Sequence, residues 1–146
     1  MPMSRDHTAQ FQRERLHRAA QDGDLVKVND LIERKYPLNR FDDLGNTPLH
    51  YAVQHNRLEV VKRLLEAGAN VNAHDERVIG NTPLGGNARD CTFEIAKCLV
   101  DAGADPTIRG WMHLNALDGV REREDANARK ILRLLEEAAE RFNRSS

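Results

Sequence analysis

The feature that most constrains this chain is a leucine that returns at a nearly fixed interval. Leu16, Leu49, Leu84 and Leu117 are separated by 33, 35 and 33 residues. Self-similarity on this scale marks a repeat architecture, in which one supersecondary unit cannot bury its apolar face alone and stacks on copies of itself.

The unit is clearest over residues 42–73. Thr47 stands where a hydroxyl can cap a helix, Pro48 suits the first helical position because it has no amide to satisfy, and Leu49, Ala52 and Val53 share one face. After a turn near Asn56, the apolar residues Leu58, Val61, Leu64 and Leu65 recur at helical spacing. Gly68 then falls where a left-handed cap closes a second helix. Neither helix is long enough to persist alone in water, so the pair predicts neighbours of its own kind.

The run Gly45-Asn46-Thr47-Pro48-Leu49-His50, followed by Val60-Val61, Leu64-Leu65 and Gly68-Ala69-Asn70, resembles an ankyrin repeat. The resemblance extends over about residues 10–142, strong in the second repeat, good in the first and third, weak in the fourth. It implies an all-α ankyrin repeat solenoid: four helix-turn-helix repeats joined by hairpin-like fingers, with the terminal repeats acting as caps. The repeats fall at about 8–40, 41–73, 74–108 and 109–142, forming a single domain over 8–142. Residues 1–7 read as a disordered leader and 143–146 as a tail.

Four departures from the pattern carry expectations. The second helix of the first repeat ends on Arg34-Lys35-Tyr36-Pro37 with no capping glycine, so an irregular end is expected there. Fourteen steps separate Gly68 from Thr82 but twelve separate Gly103 from Asn115, which makes the finger at Asp75–Gly80 the longest. In the third repeat Gly85-Gly86-Asn87 follows Leu84, and two interior glycines cost a helix roughly 2 kcal/mol against two alanines. In the fourth, Asn115-Ala116-Leu117 keeps only the helix cap, and the long apolar face from Ala128 to Phe142 reads as the C-terminal cap.

Composition excludes several classes of function. The 22 basic and 23 acidic residues nearly cancel and form no long run of one sign, so neither nucleic acid nor an anionic membrane surface is an expected partner. Nowhere do about 18 apolar residues run together as a membrane span requires, and Met1–Arg15 lacks an apolar segment, so a cytoplasmic location is expected. Aromatics are only 5% of the chain, a core composition that suits close-stacked short helices better than a sandwich or barrel. Cys91 and Cys98 are too few for a disulfide framework. With Cys98 on a helix and Cys91 just before it, they would sit about 10 Å apart, beyond disulfide reach, and read as reduced packed thiols.

No catalytic residue, metal site or cofactor is expected. The six histidines offer no pair at i and i+4 and no zinc-type cluster with cysteine. His17 and His50 fall where the resemblance implies a structural imidazole tying neighbouring turns together. Serine occurs only at Ser4, Ser145 and Ser146, all in the expected tails, so no scaffold holds a serine nucleophile. Gly85-Gly86 lacks the Lys-Ser/Thr that completes a phosphate loop and reads as close backbone approach between stacked helices.

The resemblance implies binding to another protein through the fingertips and the exposed side of the inner helices. Matching positions are Phe41, Asp43, Leu44 and Asn46 in the first finger, Arg77, Val78, Ile79 and Asn81 in the second, and Trp111, Met112 and Leu114 in the third. The inner-helix positions are Gln21 and Asp22, Gln54 and His55, Arg89 and Asp90, and Glu122 and Arg123. Turns normally favour Gly, Asn, Asp and Ser, so this apolar finger row is unusual and marks an interaction surface. For Trp111 and Met112 two readings stand: part of that surface, or a lid folded back over the degenerate fourth repeat. Chain length and the Ala-Gly-Ala-Asp-Pro-Thr and Gly-Trp-Met stretches resemble small stand-alone bacterial ankyrin proteins. That suggests a monomer acting as an immunity or inhibitor protein, with an adaptor or a purely structural, designed scaffold as alternatives.

Overall fold

A computed structural model describes residues 14–78 and 80–144. The expected leader at 1–7, the last two tail residues and Ile79 lie outside the described residues. Among those described there are seven α-helices and no strand: α1 Arg15–Asp22, α2 Leu25–Glu33, α3 Pro48–Gln54, α4 Leu58–Glu66, α5 Phe93–Asp101, α6 Ala116–Arg121 and α7 Ala128–Arg144. Two single 3-10 turns, Glu76–Val78 and Trp111–His113, sit at the tips of the second and third fingers. The last helix runs through Asn143 and Arg144, into the segment expected to be tail.

The helices form two layers. In the outer layer α2, α4, α5 and α7 stack in chain order, while α1 packs on α3 in the inner layer and each pairs with the outer helix that follows it. The four marker leucines Leu16, Leu49, Leu84 and Leu117 are all buried in one continuous core that extends to Ala138. Leu64, Leu99, Ile131 and Leu135 are fully enclosed within it, as the helical spacing of their apolar neighbours requires. At roughly 25 cal/mol for each Å² of apolar surface removed from water, these contacts are what hold short helices that would fray alone.

Several helix ends close on a left-handed residue, glycine after α1, α4 and α5 but Lys35 after α2 and Asn56, at φ +56°, after α3. Gly68 closes α4 at φ +101°, and the amide of Ala69 returns to the Leu64 carbonyl at 3.0 Å. The end of α2, expected to be irregular, makes the same bond from Tyr36 to Leu31 at 3.1 Å. Lys35 takes the glycine's place at φ +65°, a left-handed conformation that costs a residue with a side chain about 1 kcal/mol or more. The hydrogen bonding is therefore regular and the backbone strained.

The third repeat has no inner helix. Thr82 Oγ1 accepts the Gly85 amide at 2.9 Å and the Gly86 amide reaches the Thr82 carbonyl at 2.9 Å, so a helix begins. Asn87 then donates its side-chain amide to the Pro83 carbonyl at 2.9 Å, taking the acceptor its own backbone N–H would use in an α-helix. That N–H goes to Leu84 instead, at 3.2 Å, and residues 83–90 pass as successive turns. The weak propensity of Gly85-Gly86 and the competing amide act together.

Arg123, expected on the exposed inner face, repairs this stretch. Its guanidinium donates to the Ala88 carbonyl at 3.2 Å and the Cys91 carbonyl at 2.9 Å, satisfying acceptors at the end of this run of turns. Asp125 holds the other edge of the same guanidinium at 2.6 and 2.9 Å, and the side chain is only 9% exposed. Cys91 is buried just before α5 and Cys98 lies within it, both free. Burial pushes the Cys91 thiol up to about 11, so it stays protonated and inert.

Candidate functional site

The fingers are tight turns anchored by histidines. His17 Nε2–H donates to the carbonyls of Arg40 at 2.9 Å and Asn46 at 3.1 Å, fixing the base of the first finger. His50 does the same for the second, its Nε2–H donating to the Asn81 carbonyl at 2.6 Å. His50 Nδ1 accepts the Thr47 amide at 3.0 Å and the Thr47 hydroxyl at 2.8 Å. In the first repeat Glu14 replaces the threonine, with a backbone that is not extended, and buried His17 Nδ1 has no partner.

Asn81 carries the linkage on to the third finger. Its Oδ1 accepts the Trp111 amide at 3.0 Å, and a Cβ on Gly110 would lie only 2.0 Å from that oxygen. Glycine is required there by close approach. Beyond it Met112 and His113 both stand at φ +58°, two consecutive left-handed residues with side chains. Strain of this kind persists only where surrounding contacts over-determine it, and it recurs at functional tips.

The result is a groove of about 310 Å³ along the inner face. Leu44, Val78 and Trp111, one from each finger, form its walls, and Gln54, Asn81 and Asn87 contribute amides to its floor. Leu44 is 75% exposed, Trp111 63% and Met112 64%. Trp111 and Met112 therefore do not fold back as a lid on the fourth repeat, whose core is closed by Ala116, Leu117 and Val120 against Ile131 and Leu135. A second groove lies between the first two fingers and shares Val78 with the first.

The residues expected from the sequence divide into three groups. Leu44, Val78, Trp111, Met112, Asp43, Gln54 and His55 are exposed, as are Arg89 and Asp90, with Arg89 paired to Glu122 at 2.7 Å. Phe41 and Asn46 are half-buried along the groove walls. Asn81 is tied inward, whereas Arg77 stays exposed while gripping buried Asp75 through two 3.0 Å bonds that hold the Asp75 carboxyl below its usual range. Sequence reading missed Asp42, Asp75 and Arg40, which line the second groove. The finger turn offered a signal for Asp42: its Oδ1 accepts the amides of Leu44 at 3.0 Å and Asn46 at 2.9 Å, the usual Asx-turn role.

Stacked helix pairs carrying a row of fingers over a shared groove define a repeat scaffold built for contact with other chains. The chain belongs to the ankyrin repeat family: the model for ankyrin repeats (3 copies) matches residues 16–110. Relatives include the probable E3 ubiquitin-protein ligase XBOS33 of Oryza sativa subsp. japonica, 44% identical over 42% of this chain and 12% of that protein. The human transient receptor potential cation channel subfamily A member 1 is 47% identical over 39% of this chain and 5% of its own length. A putative ankyrin repeat protein of fowlpox virus, FPV233, is 49% identical over 32% and 9%. The chain thus spans a small fraction of the curated relatives it matches, and what it shares with them is the repeat. Ankyrin repeats are protein–protein interaction modules and a non-catalytic fold. No helix among the described residues is long and apolar enough to cross a membrane.

Proposed function

We propose that this chain binds a partner protein in the fingertip groove and acts by occupancy. The observation that carries the reading is that all three fingers turn an exposed apolar side chain, Leu44, Val78 and Trp111, onto one groove. Exposed apolar clusters mark interaction surfaces, and tryptophan is over-represented among residues that dominate binding energy. The Thr47–His50–Asn81–Trp111 bonds hold the wall before any partner arrives, which lowers the entropy lost on association. Asp43, Gln54, His55, Arg89 and Asp90 extend the contact surface along the inner side. We attach to this the finer reading of an immunity or inhibitor protein that neutralises a partner enzyme, since a groove that only occupies can block.

Affinity capture from the native host, with wild-type chain and Trp111→Ala side by side, tests it. A partner held by the wild type should be lost from the variant, with binding weaker by about 2 kcal/mol or more and the melting temperature unchanged. Retention by both would refute the groove. Loss of a captured enzyme's activity at one-to-one stoichiometry supports the inhibitor reading; unchanged activity points to an adaptor. Trp111 is the single indole of the chain, so its emission should start as that of a water-exposed ring and move to the blue on binding.

A further inference from the structure

We infer that the partner segment seated between Val78 and Trp111 is an uncharged, extended stretch that lays an apolar side chain on those walls and its peptide groups on the floor, and that Gln54 sets this preference. This deepens the proposal of a protein-binding groove and rests on it.

The lining of this groove is neutral. Among the described residues its walls are apolar, and its polar side chains are the carboxamides of Asn46, Gln54, Asn81 and Asn87 and the ring of His50. Burial lowers the His50 pKa to about 4, so the ring adds no charge near neutral pH. Two guanidiniums close by in sequence are already engaged. Arg77, beside Val78, grips Asp75 through two 3.0 Å bonds, and Arg89, two residues past Asn87, meets Glu122 at 2.7 Å. A lysine or glutamate of the partner that entered this groove would lose water without gaining a counter-ion, and burying a charge is costly unless it is paired. The groove between the first two fingers differs, since both signs of charge line it.

The floor has hydrogen-bonding capacity left over. Asn81 uses its Oδ1 to accept the Trp111 amide and keeps its Nδ2 donors, while Asn87 gives its Nδ2 to the Pro83 carbonyl and keeps its Oδ1 acceptor. The Gln54 carboxamide, exposed at the last residue of α3, makes no hydrogen bond among the described residues. The floor thus offers neutral donors and neutral acceptors together, the complement of peptide groups, which carry one of each. An extended segment suits it, because a helix satisfies its peptide groups internally whereas an extended chain leaves them free and turns alternate side chains to opposite sides. One such side chain reaches the wall between Val78 and Trp111 as the flanking peptide groups meet the floor. Gln54, unlike Asn81 and Asn87, ties no part of the fold, so its charge can be changed without disturbing the finger anchors.

Selection from a phage-displayed random dodecapeptide library tests this without knowing the natural partner. The purified chain, Gln54→Glu, Gln54→Lys and Trp111→Ala serve as four targets, with urea midpoints first establishing that each variant is folded. Peptides enriched on the wild type and bound about tenfold or more weakly by Trp111→Ala should share a motif of about three uncharged residues, one of them apolar, roughly 10 Å of extended chain. Their affinity should hold steady as salt is raised. Gln54→Glu should draw Lys or Arg into the motif and Gln54→Lys should draw Asp or Glu, both with binding that weakens in salt. Wild-type peptides that need Trp111 yet share a charged residue in the motif, or identical selections on the wild type and both Gln54 variants, overturn the inference and leave the groove as a protein-binding site. Absence of any peptide that depends on Trp111 overturns it too, and the captured natural partner then decides the broader proposal separately.

Discussion

With Nδ1 accepting from Thr47 and Nε2–H donating to Asn81, His50 holds its place only as the neutral ring. Burial lowers its pKa from 6.5 to about 4. Because the unfolded chain binds this proton more readily, stability is complete above pH 6.5 and is lost as pH falls from there to about 4. The full loss is about 3 kcal/mol, at 1.36 kcal/mol per pKa unit, and urea titrations across that window should show it. His50→Gln, which cannot titrate, should flatten that part of the profile. Lys35→Gly should raise the urea midpoint by the equivalent of about 1 kcal/mol, because it relieves a long side chain held left-handed at the end of α2. The structural histidines were legible, since each directly follows a marker leucine. Asn81 was legible only as a fingertip position; its role depends on Trp111, thirty residues away, and on a glycine whose missing Cβ leaves the space.

At the scale of elements, the third repeat separates propensity from outcome. The sequence showed that Gly85-Gly86 would weaken the inner helix. It could not show that the Asn87 side chain would take the Pro83 carbonyl, or that Arg123 would cross from the fourth repeat to hold Ala88 and Cys91, because those bonds form only once the repeats stack. Arg123→Met keeps the packing length and removes the donors; it should cost roughly 1–3 kcal/mol, the penalty for buried acceptors left unpaired. Hydrogen exchange of amides in residues 83–91 should accelerate with it. Gly86→Ala tests the close approach. Its Cβ would stand 3.2 Å from Asn81 Cβ, and Asn81 is pinned by Trp111, so the variant should lose about 1 kcal/mol and shift the indole emission. A gain in stability would show instead that helix propensity governs this stretch.

Across the whole molecule, the core passes unbroken from Leu16 to Ala138, and the missing inner helix does not interrupt it because Leu84 and Ala88 are still buried. Leu64→Ala and Leu99→Ala should each destabilise by roughly 2–5 kcal/mol, and each should move one shared unfolding transition seen by circular dichroism. Urea midpoints unchanged within error would contradict the stacked core. The four-fold spacing of leucines made this architecture readable, since burial on a period needs no knowledge of distant contacts. The fingertip charges were not readable: whether Arg77 is engaged depends on which acceptors the fold brings to it. The bonds from Thr47 to His50, Asn81 and Trp111 divide the surface into positions that hold and positions that are held out. Over lineages of this chain, substitutions at residues 44, 78 and 111 should accumulate in step with changes in the partner, while residues 50, 81 and 110 stay as they are, so that new binding preferences arise without the fold being rebuilt.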